Sequence, residues 1–398
     1  MATTGLFGYG HERPLWNMWM PYWPERALKA MNANVLFVDV GAVSSDHDRA
    51  CELFYQLFGG TVDYGEEHVR QTFHARYGRT YEKPMHPGWN AENPIHLVGH
   101  SMGATTAIEL YQLLCSDAFG VGSDHRWVRS ITCIAGPLTG STISHMCGLH
   151  GDDLIPWTPA HILSGALGAF VKLYQVVPIL KGLFDLRMDQ WRDFALRDVL
   201  FVDGRVYKSL DLAFYSCQPA RRIARNSQLK HMDKLFLMSI TTSPRDFFMP
   251  KRELALVALI ILFGGWGHKV IPDRWKRLRG MLITLLGFIL WRRSKSWNLA
   301  KMPSMLPLTW LMRHRAKSLH QIYEGFDPDH WQHNDGAVNI HSMLRHGSRS
   351  LKSSLHPAVP RTSLMLQAIQ VQAEVLCPED YEARHQLRPY VHPRQHRL

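Results

Sequence analysis

The chain has 398 residues, 46% of them hydrophobic, enough to build one large domain with insertions or two domains. Its 13 Trp, 13 Tyr and 17 Phe exclude a disordered polymer, because that much aromatic surface has to be buried. The formal charge of +11 suits acidic partners such as anionic lipid, but the basic residues are scattered, denser only around 269–295 and at the C-terminal end, and no nucleic-acid motif is present. Six widely spaced cysteines without a CxxC pair argue against a disulfide framework or a Cys-rich metal site.

Taken in order, "ATTGLFGYG" after Met1 has neither a basic n-region nor a long apolar stretch, so no signal peptide is read there. "NVLFVDV" (34–40) reads as a buried strand, short and bounded by polar residues or glycine. "SSDHDRACELF" (44–54) and "DYGEEHVRQTFHARYGRTY" (63–81) bring carboxylates and two imidazoles, His68 and His74. "IHLVGHS" is a second strand, and "MGATTAIELYQLL" after it has helical spacing. "VRSITCIAGP" (128–137) is a third strand and "KLFLMSITTSP" (234–244) a fourth. Strands alternating with helical stretches predict an α/β fold, a mostly parallel sheet with helices on both faces.

Between the third and fourth strands, the apolar helical stretch beginning at Thr158 reads either as a buried helix pair or as a cover over an apolar pocket. Residues 254–267 and 281–291 are apolar runs, too short for the ~20 residues a spanning helix needs. With their basic, Trp-bearing flanks they read as a membrane-dipping hairpin or as a buried core hairpin. The end of the chain, 384–398, is rich in His, Arg and Pro.

Gly99-His100-Ser101-Met102-Gly103 fits G-x-S-x-G and sits between a strand and a helix, where that motif presents a nucleophile. The tight turn lifts the hydroxyl off the sheet and aims the Met102 N–H and the helix N-terminus at a developing oxyanion. A serine needs a base, and the base needs an orienting carboxylate. Asp335, in the turn-like "NDG", follows Ser101 in the chain order such a triad uses. His341, His346, His356, His385, His392 and His396 lie beyond it, and spacing does not choose among them. His68 and His74, six apart, do not share one face of a regular helix, so spacing favours surface histidines; joint metal binding needs a helix end or loop between them. Two imidazoles and two carboxylates would suit zinc.

Together, "GAVSSDHDRACELFYQLFGGTVDYGEEHVRQTFHARYGRTY" (41–81), "IHLVGHSMGATTA" (95–107), "ITCIAGPLTGST" (131–142), "DLRMDQW" (185–191) and "DHWQHNDGAVNIHSM" (329–343) resemble the zinc-containing lipases of thermophilic bacilli and staphylococci and their eukaryotic homologues. The resemblance implies an α/β-hydrolase with Ser101 as nucleophile and Asp335 as the triad acid. It implies a structural zinc on Asp48, His68, His74 and Asp189, and a helical lid over 158–190. It gives oxyanion donors at the N–H groups of Leu6 and Met102, and a lipid ester substrate met at a lipid interface. The implied layout is a hydrolase domain over 1–345, with a zinc-binding insertion at 41–81 and the apolar hairpin at 251–295, then a divergent basic tail over 346–398.

The chain departs from that pattern in three places. The strand and the His before Gly5 are missing, no Asp-His pair follows Met343, and 251–295 is unusually apolar. His385 is nominated as the base from its position and a preceding acidic cluster. The reading is a serine carboxylic-ester hydrolase acting on acylglycerols. Its rivals are a catalytically impaired scaffold that binds lipid or a partner, and acyl transfer on the same triad. The resemblance implies secretion, whereas 254–291 would attach the chain to a membrane.

Overall fold

The computed structural model describes residues 1–241, 306–316, 319, 322–323, 326–343, 350–351 and 372–376. A six-stranded sheet runs in the order β1 (Ala2–Thr3), β4 (Ile95–His100), β5 (Val128–Ile134), β8 (Phe236–Thr241), β10 (Gln372–Leu376), β9 (Ser350–Leu351). The first four are parallel and the last two join antiparallel. Two small hairpins stand apart, β2 (Gly60–Asp63) with β3 (Tyr77–Tyr81), and β6 (Leu149–His150) with β7 (Asp153–Leu154). The α/β class expected from alternating elements is the one observed, and the sheet extends into the segment read as a tail.

Helix α1 (Glu25–Met31) precedes α2 (Asp46–Phe58), α3 (Glu66–Thr72), α4 (Met102–Cys115), α5 (Ile143–Met146) and the long α6 (Pro159–Val176). Helix α2 starts where Ser45 caps it, its side chain accepting the Asp48 N–H at 3.2 Å, with acids in the first turn where the helix dipole favours them. Strand β4 buries Ile95, Leu97 and Gly99 and leaves the alternate residues more open, the period-two pattern of a pleated strand. Leu97, Ile131 and Leu237 form the middle of the main core with Leu53, Phe54 and Leu57 of α2 and Leu110 and Tyr111 of α4. Removing the side chain of so enclosed a leucine costs roughly 2–5 kcal/mol.

Two expectations about the start of the chain change. Ala2 and Thr3 form a strand after all, in register with Val98 and Gly99 of β4. Thr3 and Thr4 are fully buried. Residues 34–40, expected as a strand, run extended beside β1, but the only bridge they form among the described residues is Phe37 with Ala2. The Ala2 N–H donates to the Leu36 carbonyl at 2.8 Å and the Val38 N–H to that of Ala2 at 3.3 Å. A partner two residues long offers no further ladder. The apolar segment 251–295 lies outside the described residues. Among the described helices none is long and apolar enough to cross a membrane.

Candidate active site and metal centre

Ser101 stands at the carboxyl end of β4, the end where parallel α/β sheets place their ligands. Its backbone has φ 54° and ψ −130°, a conformation that side chains other than glycine's rarely adopt. The N–H of Ser101 donates to the Ile134 carbonyl of the adjacent strand at 2.8 Å, and α4 begins at the next residue. The flanking glycines are required by contact. A Cβ on Gly99 would sit 2.4 Å from the Gly103 carbonyl, and one on Gly103 would sit 2.6 Å from the carbonyl of Thr3. The elbow is therefore clamped between β1 and the first turn of α4. Met102, the first residue of that helix, has an N–H without an intrahelical partner, as every first turn does.

The chain passes Ser101 again at Gly5, where a Cβ would lie 2.7 Å from the Ser101 Cβ. The Gly8 N–H closes a turn on the Gly5 carbonyl at 3.0 Å, and the Phe7 N–H donates to the Ala42 carbonyl at 3.1 Å. Leu6 occupies the corner of this turn. The two sequence-nominated oxyanion donors, Leu6 and Met102, thus belong to backbone segments that meet at the serine.

Asp335 is held by its own turn. Its Oδ1 accepts the N–H groups of Ala337 at 2.9 Å and Val338 at 2.8 Å. The turn is docked on the loop that leaves β5. Ser141 Oγ donates to the Ala337 carbonyl at 2.6 Å, the Thr142 N–H to Asn339 Oδ1 at 2.9 Å, and the Leu138 N–H to the Ser342 carbonyl at 2.9 Å. Val338 packs on Ala135 and Met343 in a small core cluster. Ser101 and Asp335 therefore hang from the same end of β5, one through Ile134 and the other through the residues just after it. His341 stacks on His330 with ring centroids 5.5 Å apart. His385, like His346, His356, His392 and His396, lies outside the described residues.

A second cluster is built from distant segments. Asp48, His68, His74 and Asp211 each offer an atom within 4.8 Å of the others'. Asp48 comes from the first turn of α2 and His68 from α3. Phe73 ends α3 in the left-handed conformation, φ 64°, which swings His74 back toward His68. The helix end that the six-residue spacing required is therefore present. His68 Nε2 is 3.0 Å from Asp48 Oδ1 and 3.5 Å from Asp211 Oδ1. His74 Nε2 is 3.5 Å from Asp48 Oδ1 and 3.4 Å from Asp211 Oδ2. The outer contacts orient the donors: His74 Nδ1 bonds the Ala75 carbonyl at 2.9 Å, and Gln190 Nε2 donates to Asp48 Oδ2 at 2.8 Å. Such partners fix the tautomer and the carboxylate of a metal ligand.

Burial alone would lower the pKa of His74, but Asp48 and Asp211 more than offset it and carry it up to about 11. His68 rises the same way to about 9. Burial would raise Asp48, and the two imidazoles hold it well below the usual carboxylate range. Two buried atoms of the cluster, His74 Nε2 and Asp211 Oδ2, make no hydrogen bond. Two carboxylates and two imidazoles with unsatisfied inward atoms are a donor set that a divalent cation fits.

The fourth member of the cluster is Asp211 and not the expected Asp189. Asp189 is not part of the group; its Oδ2 accepts from Arg79 Nε at 2.7 Å, and Lys181 stands 3.7 Å from its Oδ1. The residue beside it, Gln190, is the one that reaches Asp48. Asp211 takes the place expected for Asp189. In the sequence its signal was a lone carboxylate between leucines, "SLDLAF", with nothing in the spacing to tie it to His74.

Helix α6 buries Val171 and Tyr174 against Trp191 and Tyr207, while Ile162, Leu163, Leu173 and Val176 face solvent. Trp157 is 83% exposed and Ile179 70%. A second apolar loop, Leu15, Trp16, Met18, Trp19 and Met20, is also exposed and is tied to the chain after α6 by the Trp16 N–H to the Gly182 carbonyl at 2.6 Å.

A serine on a strand-to-helix elbow at the carboxyl edge of a parallel sheet, with a carboxylate turn docked on the loop after the next strand, is the layout of the α/β-hydrolase fold. Residues 24–120 match the family described as "Lipase-like, C-terminal domain". The chain is 35% identical over 169 residues to a lipase of Staphylococcus hyicus, a match covering 38% of this chain and 24% of that protein. It is 36% identical over 137 residues to Lipase 2 of Staphylococcus aureus, covering 30% and 20%. It therefore spans about a quarter or less of the length of these relatives. Among solved structures, lipase 1 of Pelosinus fermentans superposes with a TM-score of 0.53 at 24% identity, covering 86% of this chain and 82% of that one. Staphylococcus hyicus lipase does so with 0.53 at 21% identity, covering 86% and 78%. The fold is that of the bacterial lipases, and the sequence likeness to the staphylococcal enzymes points the same way.

Proposed function

We propose that the chain hydrolyses carboxylic esters, with acylglycerols as the substrate class. The observation that carries this is the backbone of Ser101: a non-glycine residue at φ 54° is costly to keep and recurs where a nucleophile must stand clear of a sheet. Ser101 Oγ attacks the ester carbonyl. A histidine accepts its proton and returns it to the leaving alcohol, and Asp335 orients that imidazole. The Met102 and Leu6 N–H groups hold the oxyanion, and water then releases the acid. His385 remains our nominee for the base. The relatives' names support the reaction class. Strand β1 supplies the first strand whose loss was one of two features favouring the non-catalytic scaffold; the other, the missing Asp-His pair after Met343, still stands for that rival.

Asp48, His68, His74 and Asp211 would hold zinc. The metal would supply a structural cross-link between α2, the α3 region and the Leu210–Leu212 segment. The region over 158–190 would act as a lid whose apolar face meets a lipid surface. The test is turnover of p-nitrophenyl esters of graded chain length by wild type and Ser101→Ala. Serine-dependent turnover supports the proposal, and equal slow rates for the two proteins end it.

A further inference from the structure

The residue that precedes the nucleophile makes a contact the proposed mechanism leaves unused. His100 Nδ1 is 2.5 Å from the Tyr22 hydroxyl. That hydroxyl accepts the Gly5 N–H at 3.1 Å. Burial pushes the His100 pKa down to about 4, so its imidazole is neutral at physiological pH, with one ring nitrogen open as an acceptor. With the Tyr22 O–H donating to Nδ1 and its lone pair taking the Gly5 N–H, both polar functions of the hydroxyl are used.

The consequence falls on the turn beside Ser101. Gly5 lies against the serine side chain so closely that a Cβ there would stand 3.1 Å from Ser101 Oγ. Tyr22 holds the N–H at one end of the turn, and the Ala42 carbonyl holds that of Phe7, at φ 54°. Between these two anchors lies the Leu6 N–H, which no acceptor takes among the described residues. The tyrosine ring is itself wedged, edge-on, between Tyr9 at 5.9 Å, Trp23 at 5.7 Å and His100 at 5.7 Å.

We infer that Tyr22 and His100 are positioning residues for the hydrolysis: through the Gly5 N–H they hold the turn that carries the Leu6 donor against Ser101. This rests on the ester-hydrolase reading. One amide donor is worth about 10²–10³ in rate when correctly placed, and its value falls steeply with misalignment. An oxyanion donor acts on charge that develops only in the transition state, so the effect belongs to kcat rather than KM.

The experiment is a double-mutant cycle on p-nitrophenyl butyrate, with Ser101→Ala as the blank. Tyr22→Phe keeps the packed ring and removes the hydroxyl. His100→Leu removes the acceptor, and His100→Asn restores one at the same branch of the side chain. Tyr22→Phe and His100→Leu are each expected to lower kcat roughly tenfold, with KM changed by less than about twofold. The double variant should be no slower than either single one, since both break the same link, and His100→Asn should recover most of the rate. Wild-type kcat in Tyr22→Phe, or losses that multiply in the double variant, would overturn the link while leaving serine hydrolysis standing. A wild-type chain no faster than Ser101→Ala would bring down the hydrolase reading and the link together.

Discussion

His74 Nε2 and Asp211 Oδ2 face each other across 3.4 Å in the interior, and neither atom makes a hydrogen bond. The ion pair they form lacks hydrogen-bond geometry, and a divalent cation that displaces the imidazole proton would give each atom a ligand bond instead. The expected stoichiometry is one divalent metal per chain, and Asp211→Asn should weaken binding at least tenfold to a hundredfold. Asp189→Asn should leave the metal content unchanged, since Asp189 is engaged by Arg79. At a free metal concentration of about 100 times Kd, stripping with a chelator would forfeit roughly 2.7 kcal/mol, visible as a lower melting midpoint in wild type and a smaller drop in Asp211→Asn. Metal analysis of the purified variants decides it: loss in Asp189→Asn with retention in Asp211→Asn would reverse the assignment.

The elbow should be a place where stability is given up for function. Ser101 sits at φ 54° and ψ −130°, a conformation costing roughly 1–3 kcal/mol for a residue with a Cβ. Glycine removes that strain, at an unfolded-state entropy cost of about 0.4–1 kcal/mol. Ser101→Gly is thus expected to abolish turnover yet raise the unfolding free energy by about 1 kcal/mol. Ser101→Ala, which keeps the Cβ, should gain nothing from relief of strain. Urea denaturation of the three proteins measures the difference. A Ser101→Gly protein no more stable than Ser101→Ala would mean the serine backbone is unstrained.

What could be read from the sequence divides along the range of the interactions. Strands β4, β5 and β8 were legible because burial imposes a local period, and the elbow was legible because its turn needs glycines at fixed offsets. Asp211 was not, since its meaning comes from three segments that converge only after folding, while Asp189, which the family resemblance had nominated, pairs with an arginine on β3. Strand β1 was missed for a different reason. An alanine and a threonine carry no hydrophobic pattern, yet they are buried because β4 supplies a ready hydrogen-bonding edge. The Tyr22–His100 contact joins residues 78 apart and leaves no periodic trace.

The imidazole beside Ser101 should make the fold acid-sensitive. Burial lowers the His100 pKa from 6.5 to about 4, so the folded state binds its proton less readily than the unfolded chain does. The corresponding stability is fully present above pH 6.5 and is lost as pH falls from there through 4, in total on the order of 3 kcal/mol before allowance for partial solvent access. Other groups titrate in this range too, so the readout is the difference between wild type and His100→Asn in denaturation midpoint at pH 7 and pH 4.5. Wild type should lose more than the variant over that interval. Equal losses would show that His100 is solvated enough to titrate normally.

The two exposed apolar surfaces predict how the chain meets its substrate. Trp157 and Ile179 flank α6 at its two ends, 83% and 70% exposed, while the opposite face of the helix is packed in the core. An apolar side chain moved from water into lipid gains roughly 1.5–3 kcal/mol, so each such residue changes adsorption by about tenfold or more. Trp157→Ser combined with Ile179→Ser should therefore lower turnover on emulsified triacylglycerol by at least tenfold at limiting interface. Turnover of a dissolved short-chain ester should stay near wild type, because neither residue belongs to the elbow or to the Asp335 turn. Adsorption to vesicles or droplets, measured by sedimentation, separates binding from chemistry. If the double variant loses both activities equally, the surface serves the fold or the active site rather than the interface; if it loses neither, the α6 region does not dock on lipid through these side chains.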